Sequence, residues 1–193
     1  MKKLTACLGL LILLTPFLFG DNLKFTEFTA SAGRSAFTSG LDLTGKFANE
    51  KNSVQLTANH ERFYGVFFWK LPLHFKVGIC AGAFKNMVQA GPYVVFSPTK
   101  FISAYYWRGW GFGEPDKPAW KIHNFFELVG GSLNFKGLGL NYAYMVFQGQ
   151  KTHLPGISYE LSLTEKFRTF TSVDYNSLTK GPLFCIGLSY LPK

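Results

Sequence analysis

The residues of this chain that could serve a reaction, a metal or a ligand are four histidines, three cysteines and a surplus of cations. The histidines stand in His60-Glu61-Arg62, His74-Phe75-Lys76, His123-Asn124-Phe125 and His153-Leu154-Pro155. A histidine base must lie within hydrogen-bond reach of the serine it activates, and on an extended strand it is residues two apart that share a face. None of the four has a serine two positions on, so His123 with Ser132, or His153 with Ser158, would meet only across strands. Loop or interface roles are the plainer reading for each. No CxxC, HExxH or acidic calcium loop occurs, and Gly109–Pro115 (GWGFGEP) only brushes the glycine pattern of a nucleotide site, so the expectation is no catalytic residue, no metal and no cofactor.

The cations form a pattern that the histidines lack. Lys46, Lys76 and Arg168 each sit among the small or polar residues of a stretch whose alternate positions are large and apolar. His74 shares the parity of Lys76, and Glu160 and Asp174 fall on the corresponding polar faces as partial counter-charges. These six residues are the candidates for one functional surface. What that surface is depends on where the elements carrying them put their apolar faces.

Those elements are strands. Between residues 138 and 146 the even positions are Leu138, Leu140, Tyr142, Tyr144 and Val146, separated by Gly139, Asn141, Ala143 and Met145. The same alternation recurs in Phe184, Ile186, Leu188 and Tyr190, in Ile157, Tyr159, Leu161 and Leu163, and in Leu73, Phe75, Val77 and Ile79. Strict period-2 alternation is the signature of a strand with two unlike faces. The spacing predicts strands at 23–37, 41–48, 53–60, 63–71, 73–84, 87–97, 100–112, 122–135, 138–148, 156–164, 167–176 and 182–191, with the registers of 63–71 and 101–112 open because both faces are aromatic. Short turns such as NEKN, KLPL and NFKG alternate with linkers that lengthen in the second half, at 113–121, 149–156 and 176–181.

The ends and the composition place these strands. Lys2 and Lys3 precede an apolar run from Leu4 to Phe19 that closes on Gly20, which reads as a signal peptide over residues 1–20, leaving 21–193 as one domain. Leu4-Thr5-Ala6-Cys7 matches a lipidation box but comes too early in the run to act as one. Aromatic residues make 18% of the chain and charged residues only 16%, against about 25% in a typical soluble domain. No later run reaches helix-spanning length, so a closed β-barrel is the membrane solution left. Removing Lys2 and Lys3 from the formal charge of +9 leaves +7. Export and the scatter of the basic residues argue against nucleic acid as a partner. Cys80 and Cys185 fall on strands far apart in order, so two packed thiols are expected rather than a bridge.

With its signal peptide, its alternating strands and a last strand of Phe184, Ile186, Leu188 and Tyr190, the chain resembles the bacterial outer-membrane β-barrel proteins as a broad class. It departs from them in running on through Leu191, Pro192 and Lys193 past the terminal aromatic. The resemblance implies an all-β, antiparallel, transmembrane up-and-down barrel of about twelve strands, with eight or ten as the alternatives. It also implies Gram-negative outer-membrane localisation, contact with outer-membrane lipid and lipopolysaccharide, and recognition by the barrel assembly machinery. The aromatics of 63–69 and 105–110 would then form interfacial girdles. The expected function is a small passive channel whose lumen is lined by Lys46, His74, Lys76, Glu160, Arg168 and Asp174 and favours small anionic solutes. Small twelve-stranded channels for acidic oligosaccharides are similar in architecture alone. The alternatives are a structural or surface-interaction barrel without transport, a lipid-modifying outer-membrane enzyme, and a secreted β-sandwich or lipocalin-like binding protein with its apolar side inward.

Overall fold

The computed structural model describes residues 23–34, 39–84, 87–112, 124–147 and 149–192. Residues 1–20, expected as a signal peptide, and the loop at 113–121 with Lys117, Lys121 and His123 beside it, lie outside the described residues. Twelve strands follow in order: β1 (Lys24–Arg34), β2 (Ser39–Ala48), β3 (Asn52–Ala58), β4 (Arg62–Lys70), β5 (Phe75–Phe84), β6 (Met87–Thr99), β7 (Ile102–Phe112), β8 (Asn124–Phe135), β9 (Leu138–Phe147), β10 (Gln150–Ser162), β11 (Phe167–Asn176) and β12 (Gly181–Tyr190). Each pairs antiparallel with its sequence neighbours, and β1 pairs with β12 from Phe28↔Tyr190 to Gly33↔Cys185, which closes the sheet. Closure leaves no strand edge with unpaired N–H and C=O groups, the condition for backbone in a bilayer.

The turns at the end where β1 starts and β12 finishes are built from short-range side-chain bonds. Asn49 Oδ1 accepts from the amides of Lys51 and Asn52 at 2.9 and 2.7 Å, and Thr164 Oγ1 accepts from those of Lys166 and Phe167 at 3.2 and 3.1 Å. The two-residue turn Lys136-Gly137 has φ of 48° and 87°, the backbone that a tight hairpin between β8 and β9 demands. At the opposite end the β9–β10 connection is short too. Residues 149–156, expected as a loop, belong mostly to β10, where Lys151, His153 and Pro155 pair with Val146, Tyr144 and Tyr142. Alternation persists there, with Thr152 and Leu154 buried between exposed neighbours, and the hydrophilic outward residues hid it.

One irregularity explains the mixed faces of the first strand. A bulge between Phe25 and Glu27 inserts an extra residue into β1, so that Phe25 pairs with Phe47 while Glu27 pairs with Lys46. Phe25 and Glu27 have the same parity, yet one faces out and the other in. Outside, Ile79, Leu140, Ile157, Phe184 and Ile186 are all more than half exposed in mid-strand, a belt that water would not tolerate at this density and lipid would.

Candidate functional site

The candidate site is the lumen, and its two walls differ. Directly paired residues of an antiparallel sheet share a face, so the register carries inwardness from strand to strand. From β10 through β12 and β1 to β3 the inward side chains are mostly hydroxyls, amides and charges. Thr29 Oγ1 and Ser189 Oγ lie 2.8 Å apart, Thr44 and Thr57 hydroxyls 3.0 Å, and Asn141 Nδ2 donates to Ser158 Oγ at 3.0 Å. From β4 to β9 the larger inward side chains are mostly rings and aliphatics, Tyr64, Val66 and Phe68, then Tyr93 and Val95, then Tyr105 and Trp107, then Phe126, Leu128, Met145 and Phe147, with Arg62, Lys76 and Gln89 among them. A cavity of about 720 Å³ opens against this second wall.

Three of the inward cations are paired with carboxylates. Lys46 Nζ lies 2.9 Å from Glu27 Oε2, Arg62 Nη2 2.8 Å from Asp42 Oδ2, and Arg168 Nη1 3.3 Å from Glu160 Oε1. Asp42 also accepts from Asn59 Nδ2 at 2.7 Å, which ties the Asp42–Arg62 pair to the turn after β3. Lys76, second residue of β5, lines the cavity and has no carboxylate within ion-pair distance among the described residues. Its cross-strand neighbour Lys70 donates to the carbonyl oxygen of Asn49 in the turn. Asp174 faces in on β11 beside Gly156, and a Cβ added at Gly156 would overlap its carboxylate.

Of the six candidates read from the sequence, Lys46, Lys76, Glu160, Arg168 and Asp174 lie on inward positions of β2, β5, β10 and β11. They do not converge: Lys46 and Arg168 each bond a partner on a neighbouring strand, and only Lys76 touches the cavity. His74 is not on a strand face. It occupies the turn before β5 with φ of 64°, exposed, with its carbonyl accepting from the Ser97 amide at 3.1 Å, because Pro72 and the left-handed Leu73 end the strand period there. The sequence reading missed Asp42 and Arg62, although Asp42 stands between Leu41 and Leu43 in plain alternation. It also missed the aromatic wall: Tyr64, Phe68, Tyr105 and Trp107, expected in interfacial girdles, point inward.

The remaining chemical residues disperse. His153 faces outward, with Nδ1 2.6 Å from the Tyr142 hydroxyl, while Ser158 faces in, so the two cannot form a base–nucleophile pair. Cys80 on β5 is buried and Cys185 on β12 partly so, and both thiols are free. Arg108 faces outward near the loop end, where Tyr106 donates to Glu127 Oε1 at 2.9 Å and the Arg108 guanidinium stands 5.8 Å from the Trp110 ring centre.

A closed, wholly antiparallel twelve-stranded sheet with an apolar exterior and a cavity-bearing interior defines the chain as an outer-membrane β-barrel of porin fold. Among solved structures, the KdgM porin shares this fold. The KdgM porin superposes with a TM-score of 0.54 at 13% identity over 88% of this chain and 100% of that one, and the KdgM porin in complex with disordered oligogalacturonate gives the same values. A mutant of the Rh. blastica porin superposes with a TM-score of 0.46 at 7% identity, covering 82% of this chain and 61% of that one. At 13% identity the likeness to the KdgM porin is one of fold. No family model and no curated protein matches the chain.

Proposed function

We propose that this protein is a passive outer-membrane channel for small solutes, with a preference for anions that resides at Lys76. The carrying observation is the cavity of about 720 Å³ inside a closed barrel, on whose wall Lys76 is the one lining cation without an ionic partner among the described residues. Fixed charge in a confined, low-dielectric passage concentrates ions of the opposite sign and repels its own. The other inward cations contribute less, because Glu27, Asp42 and Glu160 neutralise them locally. The KdgM porin, of the same fold, has been solved with oligogalacturonate, itself an anionic oligosaccharide, which supports an anion-accepting lumen in this architecture. In this reading the protein is no enzyme, and its partners are the solute inside and membrane lipid outside, with lipopolysaccharide at the loop-end rim around Arg108 and Tyr106.

Planar-bilayer recording of the refolded protein in a potassium chloride gradient tests the proposal. The reversal potential is expected on the chloride side, and Lys76→Glu is expected to move it towards potassium. A correctly folded barrel with no conductance, or with cation selectivity before substitution, refutes it.

A further inference from the structure

The aromatic residues of the second wall form a connected track. Phe68 and Tyr93 ring centres are 5.2 Å apart, Tyr93 and Trp107 6.2 Å, Trp107 and Phe126 4.5 Å, and Phe126 and Phe147 6.2 Å. Five rings from five strands thus line one side of the lumen, and all five border the cavity. The spacings are those of favourable aromatic contact. The track has room because the three inward positions of β5 after Lys76 are Gly78, Cys80 and Gly82: a Cβ at Gly78 would come within 2.8 Å of the Phe68 ring.

We infer that this track with Lys76 is a binding site for a planar aromatic monocarboxylate, the ring lying on Tyr93, Trp107 and Phe126 and the carboxylate meeting the Lys76 ammonium. The inference deepens the channel reading and rests on it in one respect, that the lumen admits solute. Two features select this ligand class. The free positive charge bordering the cavity is single, since Arg62 is held by Asp42, so a monoanion matches it. Besides the rings, the cavity is bordered by Gln55 and Gln89, which can hydrogen-bond, and by Val66, Val95, Leu128 and Met145, which offer no hydrogen bonds. A polyhydroxylated solute would leave its hydroxyls unpaired against them, whereas an aromatic body leaves nothing unpaired.

The test is equilibrium binding of benzoate, and of glucuronate as an equally charged non-aromatic probe, to the full barrel refolded in detergent, with folding verified by heat-modifiable migration. Benzoate is expected to bind about tenfold more tightly than glucuronate, a ratio within reach of one or two ring contacts. Lys76→Gln is expected to weaken benzoate about tenfold or more, as loss of a charge-assisted bond does. Trp107→Leu should erase the preference for the aromatic probe, and Trp107→Phe should restore part of it. Should Trp107→Leu fail to fold, Phe126→Leu asks the same question at the next ring. Equal or tighter glucuronate binding, or no binding of either probe, overturns the site. Chloride conductance without benzoate binding sinks this inference and leaves the channel standing; benzoate binding without conductance does the reverse.

Discussion

Among the three lumen ion pairs, Asp42–Arg62 should be the one whose loss the barrel feels. Its side chains are 14% and 19% exposed, against 41% and 24% for Lys46–Glu27 and 45% and 53% for Arg168–Glu160. Exposed pairs are worth about 0.2–1 kcal/mol, while breaking a buried pair from one side costs about 3–5 kcal/mol. The Asp42 pair is mostly buried but borders a wet lumen, so a coupling of about 2 kcal/mol is the intermediate value. Asp42→Ala should cost more than its coupling, because it also removes the acceptor of the Asn59 bond at 2.7 Å and leaves Arg62, whose Nε already lacks a partner among the described residues, uncompensated. The double variant Asp42→Ala/Arg62→Ala should recover part of that loss. The assay is urea unfolding in lipid vesicles for both members of each cycle; with m of about 2 kcal/mol per molar, the coupling appears as a midpoint difference of about 1 M. The Glu160–Arg168 cycle should give about 0.5 kcal/mol or less. Equal coupling in the two cycles, or none at Asp42–Arg62, would refute the ranking by burial. Single Asp42→Ala should also raise anion preference in bilayer recordings, since it frees a second lumen cation.

Two further expectations test the two faces of β5. Ile79→Arg places a charge in mid-strand on the outward belt and should lower stability in vesicles by about 2–4 kcal/mol, the cost of a cation near the bilayer midplane; a change below about 0.5 kcal/mol would mean that this face does not meet lipid. A charged methanethiosulfonate reagent added to the folded barrel should modify the partly exposed Cys185 through the lumen and leave Cys80, 1% exposed, untouched until denaturant is added, as mass spectrometry of the labelled chain would show.

The strands most legible in the sequence are those with one dull face. In β9 the residues Leu138, Leu140 and Tyr142 alternate with Gly139, Asn141 and Ala143, and the structure puts the large set outward. The pattern was readable because the inner face there is small and polar. In β4 and β7 both faces are aromatic, for a reason that no single strand contains. Phe68 lies against Gly78 on the next strand, and the Tyr105 ring lies over Gly130, where a Cβ would meet its ring carbon at 2.5 Å. The small residues that looked like an open lumen in one strand are seats for rings from another. Periodicity along one strand records which face is apolar; it does not record which neighbour fills the space a glycine leaves. The β1 bulge is illegible for a related cause, since an inserted residue reverses parity without leaving a motif.

Charge shows the same dependence on register, and with larger functional effect. A formal charge of +9 and three inward cations suggest a uniformly basic passage, yet each of Lys46, Arg62 and Arg168 is held by a carboxylate from elsewhere in the chain. The partner of Lys46 is set by the pairing after the bulge, which puts Glu27 directly opposite it. Arg62 and Asp42 belong to β4 and β2 and meet across the loop end of the strand between them. Neither relation is a spacing that sequence reading could find. On the proposed channel reading, the selectivity left is therefore local, centred on Lys76 beside a wall of rings, and a local charge acts most strongly on a solute that stops beside it. A solute that also stacks would dwell there longer than chloride. Discrimination among anions, more than discrimination of anions from cations, is consequently where this lumen should differ from one carrying spread, unpaired positive charge.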